Sequence, residues 1–257
     1  MGRCSISRTS VRACPTRCGW KPSKPKEEGA KCRIVGGDLG TLLYTVQIGS
    51  IEVHPWLSRI ADIDSTDRCL IDLDPGDDVS VAVVVSLTRD VLGIIRSCGL
   101  SAAVKTSGSS GMHLVIPLPP KTSYEVSARL ATLIARAVVT LRPGTATIQR
   151  SLRSRPPGTI YVDAMQNACG KSMASAYSVR ATDAATVSAP LRTRNLTCRL
   201  RTSAFSTKTM PARSARLGDL WGEMLTARAT TQALVKAMLV LAQVLGTASE
   251  ATKPPRG

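Results

Sequence analysis

The fold is decided by the stretch Cys69-Leu-Ile-Asp72-Leu-Asp74-Pro75-Gly76, whose apolar residues and final Pro-Gly pair are typical of a buried strand that ends in a turn. Successive side chains of a strand alternate between the faces of its sheet, so Asp72 and Asp74 point the same way. Two carboxylates at this spacing repel each other unless a proton or a cation intervenes. The pair therefore predicts a divalent-cation site at a strand end. Asp-x-Asp also occurs by chance, and a structural or loop-capping role is the alternative.

Two later segments place further polar groups next to apolar strands. Residues 104–118 contain two short apolar strands around a hydroxyl-rich loop, with His113 in the second strand. Residues 158–163 form another strand that ends in a third carboxylate, Asp163, and Arg180 follows it along the chain. Three carboxylates, a hydroxyl-rich loop, a histidine and an arginine together suit an anionic substrate that metal ions bridge to the protein.

The hydrophobic pattern along the chain predicts an α/β fold with a mixed order of strands and helices. We expect strands at residues 69–74, 101–106, 112–118 and 159–164, and helices at about 79–98, 122–141 and 217–245. The second helix should begin at a capping box formed by Thr122 and Glu125. In this order of strands and helices, the carboxylates lie at the ends of strands.

The two ends of the chain differ from its middle. Residues 1–33 are basic and rich in Pro, Ser and Cys, so we expect a disordered or unrelated leader before a domain at 34–248 and a tail at 249–257. The leader's cysteines are a weak zinc-knuckle candidate, because no Cys-x-x-Cys pair occurs. Neither a secretory signal nor a membrane span is indicated, so a cytoplasmic location is expected.

The composition indicates a polyanionic partner. The chain of 257 residues has 34 Lys and Arg against 18 Asp and Glu, a formal charge of +16, which would attract DNA by counterion release. Aromatic residues make up only 3%, so few rings are available to stack on bases. The composition therefore favours DNA contacts through the phosphates.

Two other enzyme classes are not supported by the motifs. The segment Gly170-Lys171-Ser172 matches the end of a phosphate-binding P-loop, but Met165 stands where the earlier glycine is required. A hydrolase triad is disfavoured, because there are only two histidines and no Gly-x-Ser-x-Gly elbow.

The order and the amino-acid sequences of these segments resemble those of the polymerase domain of bacterial DNA ligase D, a member of the archaeo-eukaryotic primase superfamily. The resemblance runs from near Tyr44 to about Leu225. Its main motifs are residues 51–59, the Asp-Leu-Asp-Pro-Gly segment, Lys-Thr-Ser-Gly at 105–108, Tyr-Ser-Val-Arg at 177–180 and Ser-Ala-Pro-Leu at 188–191. It implies a mixed-sheet, primase-like (RRM-like) catalytic core with flanking helices.

The resemblance implies a template-guided nucleotidyl transferase that adds ribo- or deoxyribonucleotides to DNA primers in double-strand-break repair by non-homologous end joining. The implied ligands of Mn²⁺ or Mg²⁺ are the three strand-end carboxylates, Asp72, Asp74 and Asp163. The residues implied to bind the nucleoside triphosphate are Ser107, His113, Arg180 and, in the nucleotide pocket, His54. A packed core histidine is the alternative for His54, and a surface arginine is the alternative for Arg180.

The implied partners are DNA ends or primer–template, nucleoside triphosphates, the end-joining protein Ku and a separate ligase, in the nucleoid and away from membranes. Two cations of the family pattern are missing from this sequence. Gln166 stands where an arginine usually follows the third aspartate by three residues, and Ser110 replaces a usual lysine. Both would face phosphate, so a catalytically degenerate relative that binds DNA non-specifically is a second hypothesis.

Overall fold

The computed structural model describes residues 20–22, 32–34 and 38–251. The chain divides into two compact units, residues 1–54 and 55–257. Most of the expected leader, three of the four cysteines of its zinc-knuckle candidate and most of the expected tail lie outside the described residues. The domain boundaries that we predict from the sequence therefore stay predictions.

The described part of the first unit has two short strands and one helix. Strand β1 (Trp20–Pro22) pairs antiparallel with β2 (Cys32–Ile34), and helix α1 spans Leu39–Gln47. The carboxylate of Asp38 caps this helix, because its Oδ1 accepts a hydrogen bond of 2.7 Å from the backbone N–H of Thr41.

The second unit is a mixed sheet with helices. Its strands are β3 (Ser65–Pro75), β4 (Ala103–Thr106), β5 (Met112–Ser123), β6 (Ala146–Thr147), β7 (Ile160–Asp163) and β8 (Pro190–Leu191). Its helices are α2 (Val81–Ser97), α3 (Tyr124–Leu141), α4 (Met210–Leu217), α5 (Gly222–Thr226) and α6 (Thr231–Ala251). The six strands have the order β6-β7-β3-β5-β4-β8, and only β6 and β7 run parallel. The predicted α/β class with a mixed sheet is confirmed.

The main core lies on one face of the sheet. Residues Cys69, Ile71 and Leu73 of β3 are fully buried and pack in one cluster with side chains of α2, α3 and α6. Each large apolar side chain buried in this way contributes roughly 1.5–3 kcal/mol. Because strand residues alternate, the intervening residues of β3 point to the opposite face, where Leu70 packs with Val115. Asp72 and Asp74 are on this opposite face.

The N-cap of helix α3 lies one residue later than we predict from the sequence. Strand β5 continues directly into the helix, and the hydroxyl of Ser123 accepts a bond of 3.2 Å from Val126 N–H. Ser123 is therefore the N-cap. The hydroxyl of Thr122 instead donates to the Pro119 carbonyl at 2.7 Å, so the capping box with Glu125 is wrong.

The single helix predicted at 217–245 is also wrong. Helix α4 already ends at Leu217, where the C-cap Gly218 has a φ of 71° in the left-handed region. The two helices α5 and α6 then follow in place of one. The next segment places Trp221 and Met224 in the small apolar cluster with Leu57 and Leu70. In the described residues, no helix is long and apolar enough to cross a membrane.

Candidate active site

The strand register assembles the acidic cluster. Strand β3 lies between β5 and β7, and Asp72 is directly opposite His113 on one side and Asp163 on the other. Asp74 is two residues further along β3 and faces Tyr161. The Nε2 atom of His113 lies 3.4 Å from Oδ1 of Asp72. The register thus brings together the three carboxylates and the histidine that the sequence singles out.

The electrostatics of the cluster suit a divalent cation. Burial, and then the neighbouring carboxylates of Asp163 and Asp74, raise the pKa of Asp72 to about 7, while Lys105 and Arg180 act in the opposite direction. This repulsion is what a bound cation relieves. Carboxylate oxygens are the ligands that Mg²⁺ and Mn²⁺ prefer, so the donor set fits such an ion.

Each carboxylate also has a protein partner. Asp163 accepts hydrogen bonds from the backbone of Met165 at 2.7 Å and from Nε2 of Gln166 at 2.9 Å. Oδ2 of Asp74 lies 3.3 Å from Nη1 of Arg155. Within the described part of the chain, no three His, Cys, Asp or Glu side chains are arranged so that they could hold a metal ion as they stand.

The hydroxyl-rich loop lies next to Arg180. Oγ of Ser107 accepts bonds from the backbone N–H groups of Ser109, at 3.1 Å, and Gly111, at 3.0 Å. Nη1 of Arg180 donates to the carbonyl oxygen of Ser107 at 2.7 Å. Arg180 is partly buried, whereas the alternative hypothesis for this residue is an arginine on the surface. The loop and Arg180 therefore form one structural unit beside β5.

A glycine at the end of this loop is required by a close backbone approach. A Cβ on Gly111 would overlap the carbonyl oxygen of Leu73, whereas a Cβ on Gly93 in α2 would meet nothing within 4 Å. We expect Gly111→Ala to lower the free energy of unfolding by more than about 2 kcal/mol. The matched change Gly93→Ala should raise it by about 0.5–1 kcal/mol. Urea denaturation followed by circular dichroism measures both, and equal midpoints would contradict the loop geometry.

Three residues with functional contacts are missed by the sequence interpretation. Lys105 is fully buried on β4 beside His113, Arg155 contacts Asp74, and Asn167 is buried beneath β3. A charged residue within an apolar strand was the available signal for Lys105. Nothing in the local pattern distinguishes Arg155 or Asn167, because Asp74, the partner of Arg155, is 81 residues away, and Leu70, the partner of Asn167 on β3, is 97 residues away.

His54 lies in the first compact unit, residues 1–54. Its Nε2 is 3.0 Å from Oε2 of Glu52, and both side chains are 21% exposed. The histidine is therefore hydrogen-bonded and partly accessible. Its place in a nucleotide pocket stays a prediction.

The mixed sheet places the acidic cluster beside a hydroxyl-rich loop, a histidine and an arginine, and this set of groups suits an anionic substrate that metal ions bridge to the protein. The sequence profile of the family described as LigD, primase-polymerase domain, matches residues 4–221, and the chain belongs to this family. The predicted resemblance is confirmed. The match starts inside the segment 1–33, earlier than the resemblance near Tyr44.

Individual relatives agree with this assignment. The chain is 31% identical over 200 residues to the multifunctional non-homologous end joining protein LigD of Pseudomonas aeruginosa, covering 77% of this chain and 24% of that protein. It is 29% identical over 192 residues to the bifunctional LigD of Bacillus subtilis, covering 74% of this chain and 31% of the relative. The chain thus spans less than a third of either relative.

A solved structure has the same fold. The polymerase domain of Mycobacterium tuberculosis ligase D, determined in complex with DNA, superposes with a TM-score of 0.76 at 28% sequence identity. The superposition covers 86% of this chain and 78% of that domain.

Proposed function

We propose that this protein is a template-guided nucleotidyl transferase that extends DNA ends with nucleoside triphosphates during non-homologous end joining. The observation that carries the proposal is the register that sets Asp72 between Asp163 and His113. A raised pKa of Asp72 caused by burial and adjacent carboxylates is typical of a site built to hold cations. Membership of the primase-polymerase family supports the same reaction class.

The chemistry requires charge neutralisation and alignment more than covalent catalysis. Asp72, Asp74 and Asp163 would hold two Mn²⁺ or Mg²⁺ ions, which when bound stabilise the charge on the attacking and leaving oxygens. His113 would donate from Nε2 to a triphosphate oxygen. Arg180, fixed against the loop, would supply a charged planar donor to the same triphosphate.

The proposed partners follow from charge and family. A net charge of +16 supports binding to DNA ends, and the similar domain of ligase D was solved with DNA. The LigD relatives are named for end joining, which supports cooperation with Ku and a separate ligase in the nucleoid. Nucleoside triphosphates would be the second substrate.

Primer extension on a labelled primer–template tests the proposal. The parent should add nucleotides only with Mn²⁺ or Mg²⁺, and Asp74→Ala should abolish addition. The matched variant Asp77→Ala removes an exposed carboxylate three positions away and should extend the primer like the parent. DNA binding without any metal-dependent addition would instead establish the degenerate, non-catalytic relative.

The affinity for DNA should depend strongly on salt. Because the protein has much positive charge and few aromatic rings, we expect binding to weaken at least about a hundredfold between about 50 and 200 mM salt, with a logarithmic slope of about 0.9 per phosphate neutralised. Binding should be almost independent of sequence. Fluorescence anisotropy on two unrelated duplexes measures both, and a shallow slope with strong sequence preference would refute phosphate-dominated binding.

A further inference from the structure

Lys105 is a buried cation directly behind His113. It is 0% exposed, and its Nζ lies 2.7 Å from Nδ1 of His113 and 2.8 Å from Oγ of Ser188. Burial lowers the pKa of Lys105 to about 7, which the charge of Asp72 partly offsets. Burying an ammonium group costs free energy unless the group is hydrogen-bonded. The bonds to His113 and Ser188 therefore determine where Nζ of Lys105 lies.

The hydrogen bonds around Lys105 define the proton positions. The hydroxyl of Ser188 donates to the carbonyl oxygen of Thr106 at 2.7 Å, so towards Lys105 it acts as an acceptor. An ammonium group has donors only, so Nδ1 of His113 must accept. The proton of the neutral imidazole is then on Nε2.

The other side of the imidazole is compatible with this tautomer. Nε2 of His113 lies 3.4 Å from Oδ1 of Asp72, and a carboxyl oxygen accepts a hydrogen bond whether or not the group carries a proton. Lys105 therefore selects the tautomer, and Asp72 accommodates it from the opposite side of the ring. The hydrogen on Nε2 points from β5 towards the acidic cluster.

We propose that Lys105 is a positioning residue that fixes His113 in its Nε2–H tautomer and ring orientation. The consequence for nucleotide binding rests on the proposed function, in which Nε2 donates to a triphosphate oxygen. In the opposite tautomer Nε2 would present a lone pair to phosphate, which repels an anionic oxygen. Lys105 thus acts on the nucleotide through His113, without touching it.

Two substitutions distinguish the effect of the N–H donors of Lys105 from the effect of its side-chain volume. Lys105→Met keeps an unbranched side chain of similar length but removes every N–H group. Lys105→Gln keeps an amide N–H that can still donate to Nδ1. Lys208→Met removes one exposed lysine outside the strands and serves as the control for the loss of charge.

Nitrogen-15 NMR of the imidazoles tests the proposal independently of activity. The chain has two histidines, so a His54→Gln variant assigns the signals of His113. The neutral imidazole of His113 in the parent and in the Lys208→Met protein should be protonated on Nε2 and unprotonated on Nδ1. Lys105→Met should give a mixture of tautomers, and Lys105→Gln should restore the parent pattern.

Nucleotide kinetics give the second measurement. Lys105→Met should raise KM for the nucleotide about tenfold with kcat within about twofold, and Lys105→Gln should recover most of the loss. A protonated Nδ1 in the parent, or an unchanged tautomer in Lys105→Met, overturns the proposal. If Lys105→Met does not fold, the parent and Lys105→Gln spectra decide it. The expected spectra without nucleotide addition by the parent would support the positioning role and refute the proposed function.

Discussion

The Asp72→Asn protein is expected to add nucleotides to a primer at least about a thousandfold more slowly than the parent. The amide keeps the shape of the side chain and can still accept a bond from His113, but it removes the negative charge at the centre of the cluster. A divalent cation at the cluster would then lack one of its carboxylate ligands. Single-turnover primer extension with saturating Mn²⁺ measures the loss.

The same substitution should stabilise the metal-free protein at neutral pH. The folded-state pKa of Asp72 is raised from 3.8 to about 7, so the folded state holds a proton that the unfolded chain releases. The stability from this proton is fully present below about pH 3.8 and is lost as the pH rises through about 7. The melting temperature of Asp72→Asn should therefore exceed that of the parent by an amount that grows over this range.

The exposed neighbour Asp77 provides the control. Asp77→Asn should extend primers and melt like the parent across the same pH range. Adding Mn²⁺ should raise the melting temperature of the parent and leave that of Asp72→Asn nearly unchanged. A parent-like extension rate in Asp72→Asn, or an equal Mn²⁺ shift in both proteins, would remove Asp72 from the metal site.

Asn167→Asp is expected to destabilise the protein by about 3–5 kcal/mol. Asn167 is 1% exposed, and its Oδ1 accepts from the backbone of Leu70 at 2.8 Å and from Ser127 at 3.1 Å. Its Nδ2 donates to the carbonyl oxygens of Leu70 at 2.7 Å and Ala164 at 2.9 Å. An aspartate there would set a buried anionic oxygen against two carbonyl oxygens.

Urea denaturation of the parent and variant measures this loss. Domains of this kind are stable by only about 5–15 kcal/mol, so the expected change is a large fraction of the total. Asn195→Asp makes the same chemical change at an exposed position and should alter stability by no more than about 0.5 kcal/mol. Equal midpoints for Asn167→Asp and Asn195→Asp would show that the four bonds of Asn167 contribute little.

The break before the last helix shows what a local sequence pattern does not predict. Residues 217–245 have a helical composition, and α6 does begin among them, at Thr231. The break before it depends on Gly218 and on the burial of Trp221 and Met224 against Leu57, a residue more than 150 positions earlier. A sequence window does not contain that contact.

The sequence by itself determined the α/β class, the family and the shared direction of Asp72 and Asp74, because alternation along a strand is a local rule. Only the tertiary structure decided that Asp163 lies opposite Asp72, since pairing between β3 and β7 joins residues 91 positions apart. The same holds for Lys105 behind His113 and for Asn167 beneath β3. Their partners are set by the register between strands and by packing, and these depend on the whole chain.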